Sequence, residues 1–179
     1  MSLLPFETYQ GRQIIQIAFS VDNLEQAALH WARTFGAGPF FVYEALTLDE
    51  VRGPNHEPGV FELGAAFGQW GAVMVEFVNM RRVEPAASAP ALMQRGFHHI
   101  AYFSADSAAE VERLEASGAP VLMRLGFAGV PVHFHDGRAT AGFVIEHYPC
   151  VGPIEELYRK VAEAAKGWDG RDPVRGPLA

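Results

Sequence analysis

The sequence predicts an α+β protein built from two similar β-α-β-β-β modules and a C-terminal helix. The strand-like run at 16–19 (QIAF) is similar to the run at 99–102 (HIAY), 83 residues later. Each run leads into an acid-capped helix rich in Ala and Glu. Later in each half a single carboxylate interrupts an apolar run, Glu76 in the first half and Glu146 in the second. A duplicated unit with one polar residue at each matched place brings four polar side chains to positions where they can converge on one point.

Length and composition limit the class of protein. The chain has 179 residues, of which 49% are hydrophobic, so it can bury one good core. Its formal net charge is −7, from 14 basic and 21 acidic side chains, and it has no basic stripe, so a nucleic-acid partner is not expected. Cys150, the single cysteine, excludes an internal disulfide framework and suits a reducing cytoplasm.

Targeting and membrane signals are not visible in the sequence. Residues 1–10 contain Glu7 and lack both a basic start and a long apolar run, so no signal peptide is predicted. The longest apolar stretches fall well short of a membrane span. We therefore expect a soluble, cytoplasmic protein without a membrane partner.

The first module is predicted over 1–79. Its first strand, 12–21, alternates between two faces. Asp22, with a carboxylate three residues later, gives the acid cap of a helix that Gly36 ends. The segment at 48–58, with its Gly, Pro, Asn and charged residues, predicts a loop. The remaining strands of this module are expected at 40–45, 60–66 and 72–79.

The second module is predicted over 96–150, after a linker at 80–95 that is rich in Pro, Ser and Ala. An amphipathic helix follows at 151–167, and the tail at 168–179, rich in Gly, Pro and charge, is expected to be flexible. The module repeats the order of the first, with a strand at 97–103, a helix at 107–118 and strands at 120–127, 130–135 and 141–147.

The four polar positions of the repeat predict a metal site. Glu76 and Glu146 lie in strands too apolar for solvation, and buried carboxylates stay ionised only when they are paired, hydrogen-bonded or bound to a metal. Neither strand has a basic residue at adjoining positions of the same face, whereas one divalent cation would neutralise both charges. Gln16 adds an amide oxygen and His99 a ring nitrogen, a donor set that suits zinc, nickel, cobalt, manganese or magnesium.

Each of these residues also has a plainer interpretation. A lone Glu on a strand is usually a solvated edge residue, and a lone Gln or His is usually a hydrogen-bonded core residue. The matched register favours a shared site over four coincidences. His98 competes with His99 as the ligand, and the repeat favours His99 because the same Ile-Ala-aromatic sequence follows Gln16. His147 faces away from Glu146 and is expected to support structure.

Histidines and aromatic residues are candidates for a substrate pocket. His133 and His135 share one face of a short strand, where they either line the pocket or lie in a solvated hairpin. Phe41 and Trp70 are further pocket candidates. Other aromatic residues either wall a pocket for an apolar or aromatic substrate or belong to the core, namely Phe40, Phe61, Phe67 and Phe127.

The paired β-α-β-β-β order, the GFHHIA sequence at 96–101 and the FVIE sequence at 143–146 resemble the vicinal oxygen chelate superfamily. This group contains glyoxalase I, methylmalonyl-CoA epimerase, extradiol dioxygenases and bleomycin-resistance proteins. The resemblance covers residues 12–150 and implies one domain in which the two modules form curved mixed sheets around a metal cleft. Members share the scaffold and differ in chemistry, so the substrate does not follow from it.

The ligand pattern is most similar to the glyoxalase I and methylmalonyl-CoA epimerase branches. Gln16, Glu76, His99 and Glu146 reproduce in order the Gln, Glu, His, Glu pattern of the human type of glyoxalase I. The double histidine within 96–101 is closer to the epimerase. The epimerase pattern of His, Gln, His, Glu nevertheless differs from this chain at its first two positions.

The resemblance implies a metal-dependent lyase, isomerase or epimerase that removes a proton next to a carbonyl by way of a metal-stabilised enediolate. Glu146 is the implied base, with Glu76 assisting. The implied partners are a small carbonyl or thioester substrate and a second copy of the chain in a homodimer. Whether glutathione or coenzyme A is involved is open, and the candidates for glutathione contacts are Arg33, Arg52 and Arg124.

Two other classes are alternatives to a lyase or isomerase. A drug-sequestering binding protein needs the cleft without the ligands, so the intact set of four counts against it. A ring-cleaving dioxygenase binds iron through two His and one Glu, and Gln16 stands where the first His would be.

Overall fold

The computed structural model describes residues 12–178, so the prediction about the N-terminal ten residues lies outside the described part. In chain order the elements are β1 (Gln16–Ser20), α1 (Leu24–Phe35), β2 (Phe40–Tyr43), β3 (Asp49–Arg52), β4 (Val60–Trp70), β5 (Val73–Glu84), α2 (Ala89–Leu92), β6 (Gly96–Phe103), α3 (Ser107–Ala116), β7 (Val121–Phe127), β8 (Val130–His135), β9 (Val144–Tyr148), α4 (Gly152–Ala165) and β10 (Val174–Arg175).

All strands of the described chain join one curved, mixed sheet in the order β10-β2-β4-β5-β1-β6-β9-β8-β7-β3. In each half the first strand pairs in parallel with the last, β1 with β5 and β6 with β9, while the other pairs within each half are antiparallel. The two halves meet where β1 runs antiparallel to β6. The predicted α+β class is therefore confirmed, and both halves of the sheet belong to the same chain.

The helix ends follow from local capping chemistry. The Asn23 side chain accepts a hydrogen bond of 2.9 Å from the backbone N–H of Gln26, so Asn23 is the cap of α1 rather than the neighbouring Asp22. Gly36 ends α1 with a φ of 65°, a left-handed conformation that costs glycine little. Asp106 caps α3 by accepting from the backbone N–H groups of Ala108 and Ala109.

Two segments differ from the sequence expectation. Residues 49–52, within the expected loop, form β3 and pair with β7, so they cross from the first half to the far edge of the second. β5 continues pairing with β4 as far as Glu84, and α2 follows, so much of the expected linker at 80–95 has regular structure. β7 is far from β3 in the chain, and local composition therefore did not indicate β3.

The expected flexible tail also differs, because 168–178 return to the first module. Val174 and Arg175 pair in parallel with β2, the Trp168 ring lies against Gly38, and the Leu178 N–H donates to the Tyr43 hydroxyl. The apolar side chains of Trp168, Val174 and Leu178 pack on the sheet, and this packing outweighs the Gly, Pro and charge content of the segment.

The helices cover opposite faces of the sheet. On one face, α1 packs against β4 and β5, with Leu24 and Ala28 buried beneath it. On the other face, α4 lies over a cleft and buries Ile154, Tyr158 and Val161.

Among the described residues, 12–178, no helix is both long and apolar enough to cross a membrane.

Candidate metal centre

Four neighbouring strands at the middle of the sheet carry the four predicted ligands. Gln16 lies on β1, Glu76 on β5, His99 on β6 and Glu146 on β9, and the order of these strands in the sheet is β5-β1-β6-β9. All four side chains are buried, and all four line the same cleft. The duplicated strand order therefore brings side chains that are far apart in sequence to one place.

Two small residues leave space between the ligands. Ala18 of β1 lies opposite Glu76 on one side and opposite His99 on the other. The matching residue of the repeat, Ala101, lies between Gln16 and Glu146 in the same way. Residues directly opposite each other in paired strands project to the same face, so the methyl groups form the floor and the polar groups stand around it. A larger residue at either position would fill this space.

The distances among the charged side chains suit a shared ion. Candidate ligand atoms of Glu76, His99 and Glu146 all lie within 4.8 Å of one another. His99 Nε2 is 3.3 Å from Glu76 Oε2 and 3.1 Å from Glu146 Oε2. His99 Nε2 nevertheless has no aligned hydrogen-bond partner among the described residues, although it is fully buried.

The neighbouring histidine fixes which His99 nitrogen faces the carboxylates. His98 Nε2 lies 2.8 Å from the backbone oxygen of Leu92, and because a carbonyl only accepts, this nitrogen carries a proton. In neutral His98 the other nitrogen, Nδ1, is then an acceptor, and it lies 2.7 Å from His99 Nδ1. His99 therefore donates through Nδ1, and in the neutral ring its Nε2 presents a lone pair to two carboxylates.

A lone pair facing two buried carboxylates needs a positive charge between them. Burial by itself would lower the pKa of His99, but the carboxylates of Glu146 and Glu76 raise the pKa to about 9. Burial raises the pKa of Glu76, against the opposing effect of His99. Burial, with the charge of His99 beside it, lowers the pKa of His98 to about 3, which keeps that ring neutral. A proton or a divalent cation can supply the missing charge, and the oxygen and imidazole donors fit such a cation.

Two tyrosines at this site were missed by the sequence analysis. The Tyr148 hydroxyl donates to Gln16 Oε1 over 3.1 Å, and the Tyr148 and Tyr158 hydroxyl oxygens lie 2.6 Å apart. Burial raises the pKa of both phenols well above the ordinary value, so both stay neutral. Tyr148 could have been found, because it lies two residues after Glu146 and thus on the same face of β9. Tyr158 had no comparable signal.

Apart from this polar cluster, the cleft is apolar. About 630 Å³ of space lies among its lining residues, part of it open to solvent. Of the aromatic residues considered from sequence, Phe61, Phe67 and Phe127 line it. Leu46 and Leu48, from the connection between β2 and β3, and Leu157 of α4 also line it.

The predicted pocket residues His133 and His135 lie elsewhere, which corrects that expectation. Phe134 is opposite Glu146 and faces the cleft, whereas His133 is opposite His147, so the two histidines project from the other face of β8. His133 stacks on His147 with ring centroids 5.0 Å apart. The expected supporting role of His147, which points away from Glu146, agrees with this placement.

Two histidines of this group, His135 and His147, form a hydrogen-bonded chain with a backbone oxygen and Ser104. His135 Nδ1 donates to the Ala119 oxygen over 2.9 Å, so its Nε2 accepts from His147 Nε2 over 3.3 Å. His147 Nδ1 then accepts from the Ser104 hydroxyl over 3.1 Å. Both rings are neutral in this arrangement.

Phe41 and Trp70, the other predicted pocket residues, also lie outside the cleft lining. Phe41 is buried in the core, with the Arg175 guanidinium 5.9 Å from its ring centre. Trp70 is 43% exposed at the end of β4 and packs against Trp31 and Phe35.

Comparison with known proteins agrees with this fold. Residues 15–138 match the Glyoxalase/Bleomycin resistance protein/Dioxygenase superfamily, and the chain belongs to this family. The resemblance to the vicinal oxygen chelate superfamily is thereby confirmed. No curated protein sequence gives a significant match.

Solved structures with the same fold are distant in sequence. A hypothetical protein from Bacillus halodurans C-125 is 16% identical, covering 80% of this chain and 97% of its own, with a TM-score of 0.53. Methylmalonyl-CoA epimerase from Mycobacterium tuberculosis is 17% identical, covering 80% of this chain and 91% of its own, with a TM-score of 0.53. At such identities the likeness shows the fold alone.

Proposed function

We propose that this chain is a metal-dependent enzyme of the glyoxalase and epimerase type, which removes a proton from a carbon next to a carbonyl group. The observation that supports it is the buried His99 Nε2 atom, which has no aligned hydrogen-bond partner and faces two carboxylates. The proposed ligands of one divalent ion are Gln16, Glu76, His99 and Glu146.

A divalent ion at this site would act as a Lewis acid toward a substrate carbonyl. The chain's own residues prepare the site for it. His98 holds the His99 ring in one tautomer, and Tyr148 holds the Gln16 amide. Ordered groups of this kind reduce the reorganisation that a reaction requires.

Glu146 is the proposed base. Its carboxylate lies at the cleft surface beside Phe134, where a substrate C–H group can reach it. Glu76, on the other side of His99, is the proposed assisting carboxylate. The two carboxylates lie close enough that their titrations would be coupled.

A second candidate function is sequestration of an apolar small molecule, which the apolar lining of the cleft favours. Sequestration does not require two carboxylates and a histidine at the end of the cleft, and we therefore place it second. The homodimer, the cytoplasmic location and the module boundaries stay predictions.

Solvent deuterium exchange distinguishes these functions. The protein, loaded with each of the five candidate metals, is incubated in D₂O with 2-oxo acids, hemithioacetals or acyl-CoA thioesters, and exchange next to the carbonyl is followed by NMR. Metal-dependent exchange supports the proposal. Binding without turnover would support sequestration, and oxygen-dependent consumption of a catechol by iron-loaded protein would support a dioxygenase.

A further inference from the structure

We infer that the substrate is a small molecule that offers two neighbouring oxygens to the metal and joins them to a compact apolar or aromatic group. It carries neither glutathione nor coenzyme A. This inference rests on the proposed function and specifies the class of substrate. It comes from the chemistry of the cleft walls rather than from the ligand set.

The apolar walls begin directly beside the proposed ligands. Phe67 on β4 lies opposite Glu76, and Phe134 on β8 lies opposite Glu146. Phe134 also meets the His99 ring edge to face, with centroids 5.5 Å apart, and the Phe61 ring lies 5.2 Å beyond it. A substrate group that extends from the ligand cluster toward β8 therefore meets aromatic rings first.

The described residues that line the cleft include no lysine or arginine. The three arginines considered from sequence lie elsewhere. Arg33 is in the last turn of α1, Arg52 is an exposed residue of β3, and Arg124 donates to the Pro54 oxygen. A glutathione carboxylate or a coenzyme A phosphate placed against these walls would meet apolar side chains and no lysine or arginine, and burial of an anion without such a partner is costly.

Helix α4 forms part of the cleft wall. Leu157 of α4 lines it, while Arg159 on the same helix is exposed. This pair of positions provides a test variant and a matched control.

The test uses hydroxamates, which present two neighbouring oxygens to a metal without reacting. Affinities of zinc-loaded protein for an alkyl series from acetohydroxamate to octanohydroxamate are measured by calorimetry. We expect affinity to rise about three- to fourfold for each methylene buried, as apolar transfer predicts. S-(N-hydroxycarbamoyl)glutathione should bind no more tightly than acetohydroxamate.

The variants test the wall itself. Leu157→Glu should remove most of the dependence on chain length, whereas Arg159→Glu should leave both this dependence and acetohydroxamate binding unchanged. In metal-free protein, the fluorescence of the uncharged probe N-phenyl-1-naphthylamine should be enhanced by wild type and less so by Leu157→Glu.

The outcomes separate the two proposals. If zinc-loaded wild type binds no hydroxamate, the proposed function fails. If acetohydroxamate binds but affinity does not rise with chain length, or the glutathione derivative binds more tightly, the inferred substrate class is overturned while the proposed function stands. Because the series is measured on wild type, a variant that fails to fold does not prevent the test.

Discussion

The hydroxyl oxygens of Tyr148 and Tyr158 lie 2.6 Å apart, which joins the strand that carries Glu146 to the helix that covers the cleft. Because Tyr148 donates its proton to Gln16, Tyr158 is the donor between the two phenols. The chain from Tyr158 through Tyr148 to Gln16 thus connects α4 with the proposed metal centre.

Removing the Tyr148 hydroxyl should weaken metal binding. We expect Tyr148→Phe to lower metal affinity about 10- to 100-fold, as is typical when a group that orients a ligand is lost. Tyr158→Phe is the matched control, because it keeps the contact to Gln16, and it should have a smaller effect. Competition with a fluorescent zinc chelator measures both affinities. Equal losses in the two variants would contradict the prediction that the Tyr148 hydroxyl orients the ligand.

The two adjacent histidines should differ in their effect on metal content. His99→Ala should abolish stoichiometric metal, because it removes a proposed ligand. His98→Ala should retain metal with an affinity lowered about 10- to 100-fold, because His98 only orients its neighbour. Elemental emission after dialysis against a range of free zinc concentrations checks this, and equal metal content in both variants would show that the ligand is misassigned.

Metal binding should release a proton from His99. Its pKa of about 9 in metal-free protein means that the ring is protonated at pH 7 and must lose about one proton when an ion binds. Calorimetry in two buffers that differ in ionisation enthalpy gives this number. Release of no proton would mean that the ion binds elsewhere.

The raised pKa of His99 also predicts how the stability of metal-free protein changes at alkaline pH. A raised folded-state pKa means that the folded chain binds more protons than the unfolded chain between about pH 6.5 and pH 9, so stability falls as pH rises through this range. Urea unfolding with a chelator present, between pH 7 and pH 10, should show this loss. His99→Gln, which cannot be protonated, should show a flatter profile.

Glu146 should matter far more for rate than for metal binding. Glu146→Gln keeps an amide oxygen near the ion and removes the base, so deuterium exchange should slow about 10²- to 10⁴-fold. The matched change Glu76→Gln should slow exchange less. If both variants slow exchange equally, Glu146 has no special role as the base.

The buried histidine cluster should make the fold sensitive to acid. Burial, followed by the charges of His135 and Arg124, lowers the pKa of His133 to about 4. The contribution of neutral His133 to the free energy of unfolding is therefore complete above about pH 6.5 and is lost as the pH falls toward 4. His133→Phe keeps the ring stack on His147 and removes one titrating group. We expect it to be near neutral at pH 7.5 and stabilising by about 1 kcal/mol at pH 5, after allowance for partial exposure.

Urea unfolding of wild type and variant at both pH values measures this difference. The exposed His30→Gln, a histidine substitution outside the cluster, is the control. A His133→Phe effect that does not depend on pH would show that the ring is already protonated or solvated in the folded chain.

Much of this site could be predicted because the two modules carry polar residues at matched positions. Gln16 and His99 begin matched sequences, and Glu76 and Glu146 stand alone in apolar runs, so local patterns were sufficient to find all four. The geometry brings these four side chains together in one cleft, while their roles stay proposals.

The remaining features depend on contacts that local patterns do not encode. β3 has the sequence DEVR, which is typical of a surface loop, and only its pairing with β7 makes it a strand. The faces of β8 were ambiguous because apolar and histidine residues alternate, and only the pairing with β9 directs Phe134 to the cleft. Tyr158 reaches the centre from a helix whose position over the sheet is set by tertiary packing.

The meeting of β1 and β6 makes ion binding a measure of how the chain's two halves associate. Each half supplies one amide or imidazole and one carboxylate, and the ladder between β1 and β6, at the middle of the sheet, brings them together. A cut between β5 and β6 would therefore give two fragments, each with half of the donors and neither with a complete site. Any ion retained by such a nicked chain would bridge the two pieces, and its retention would report their reassembly.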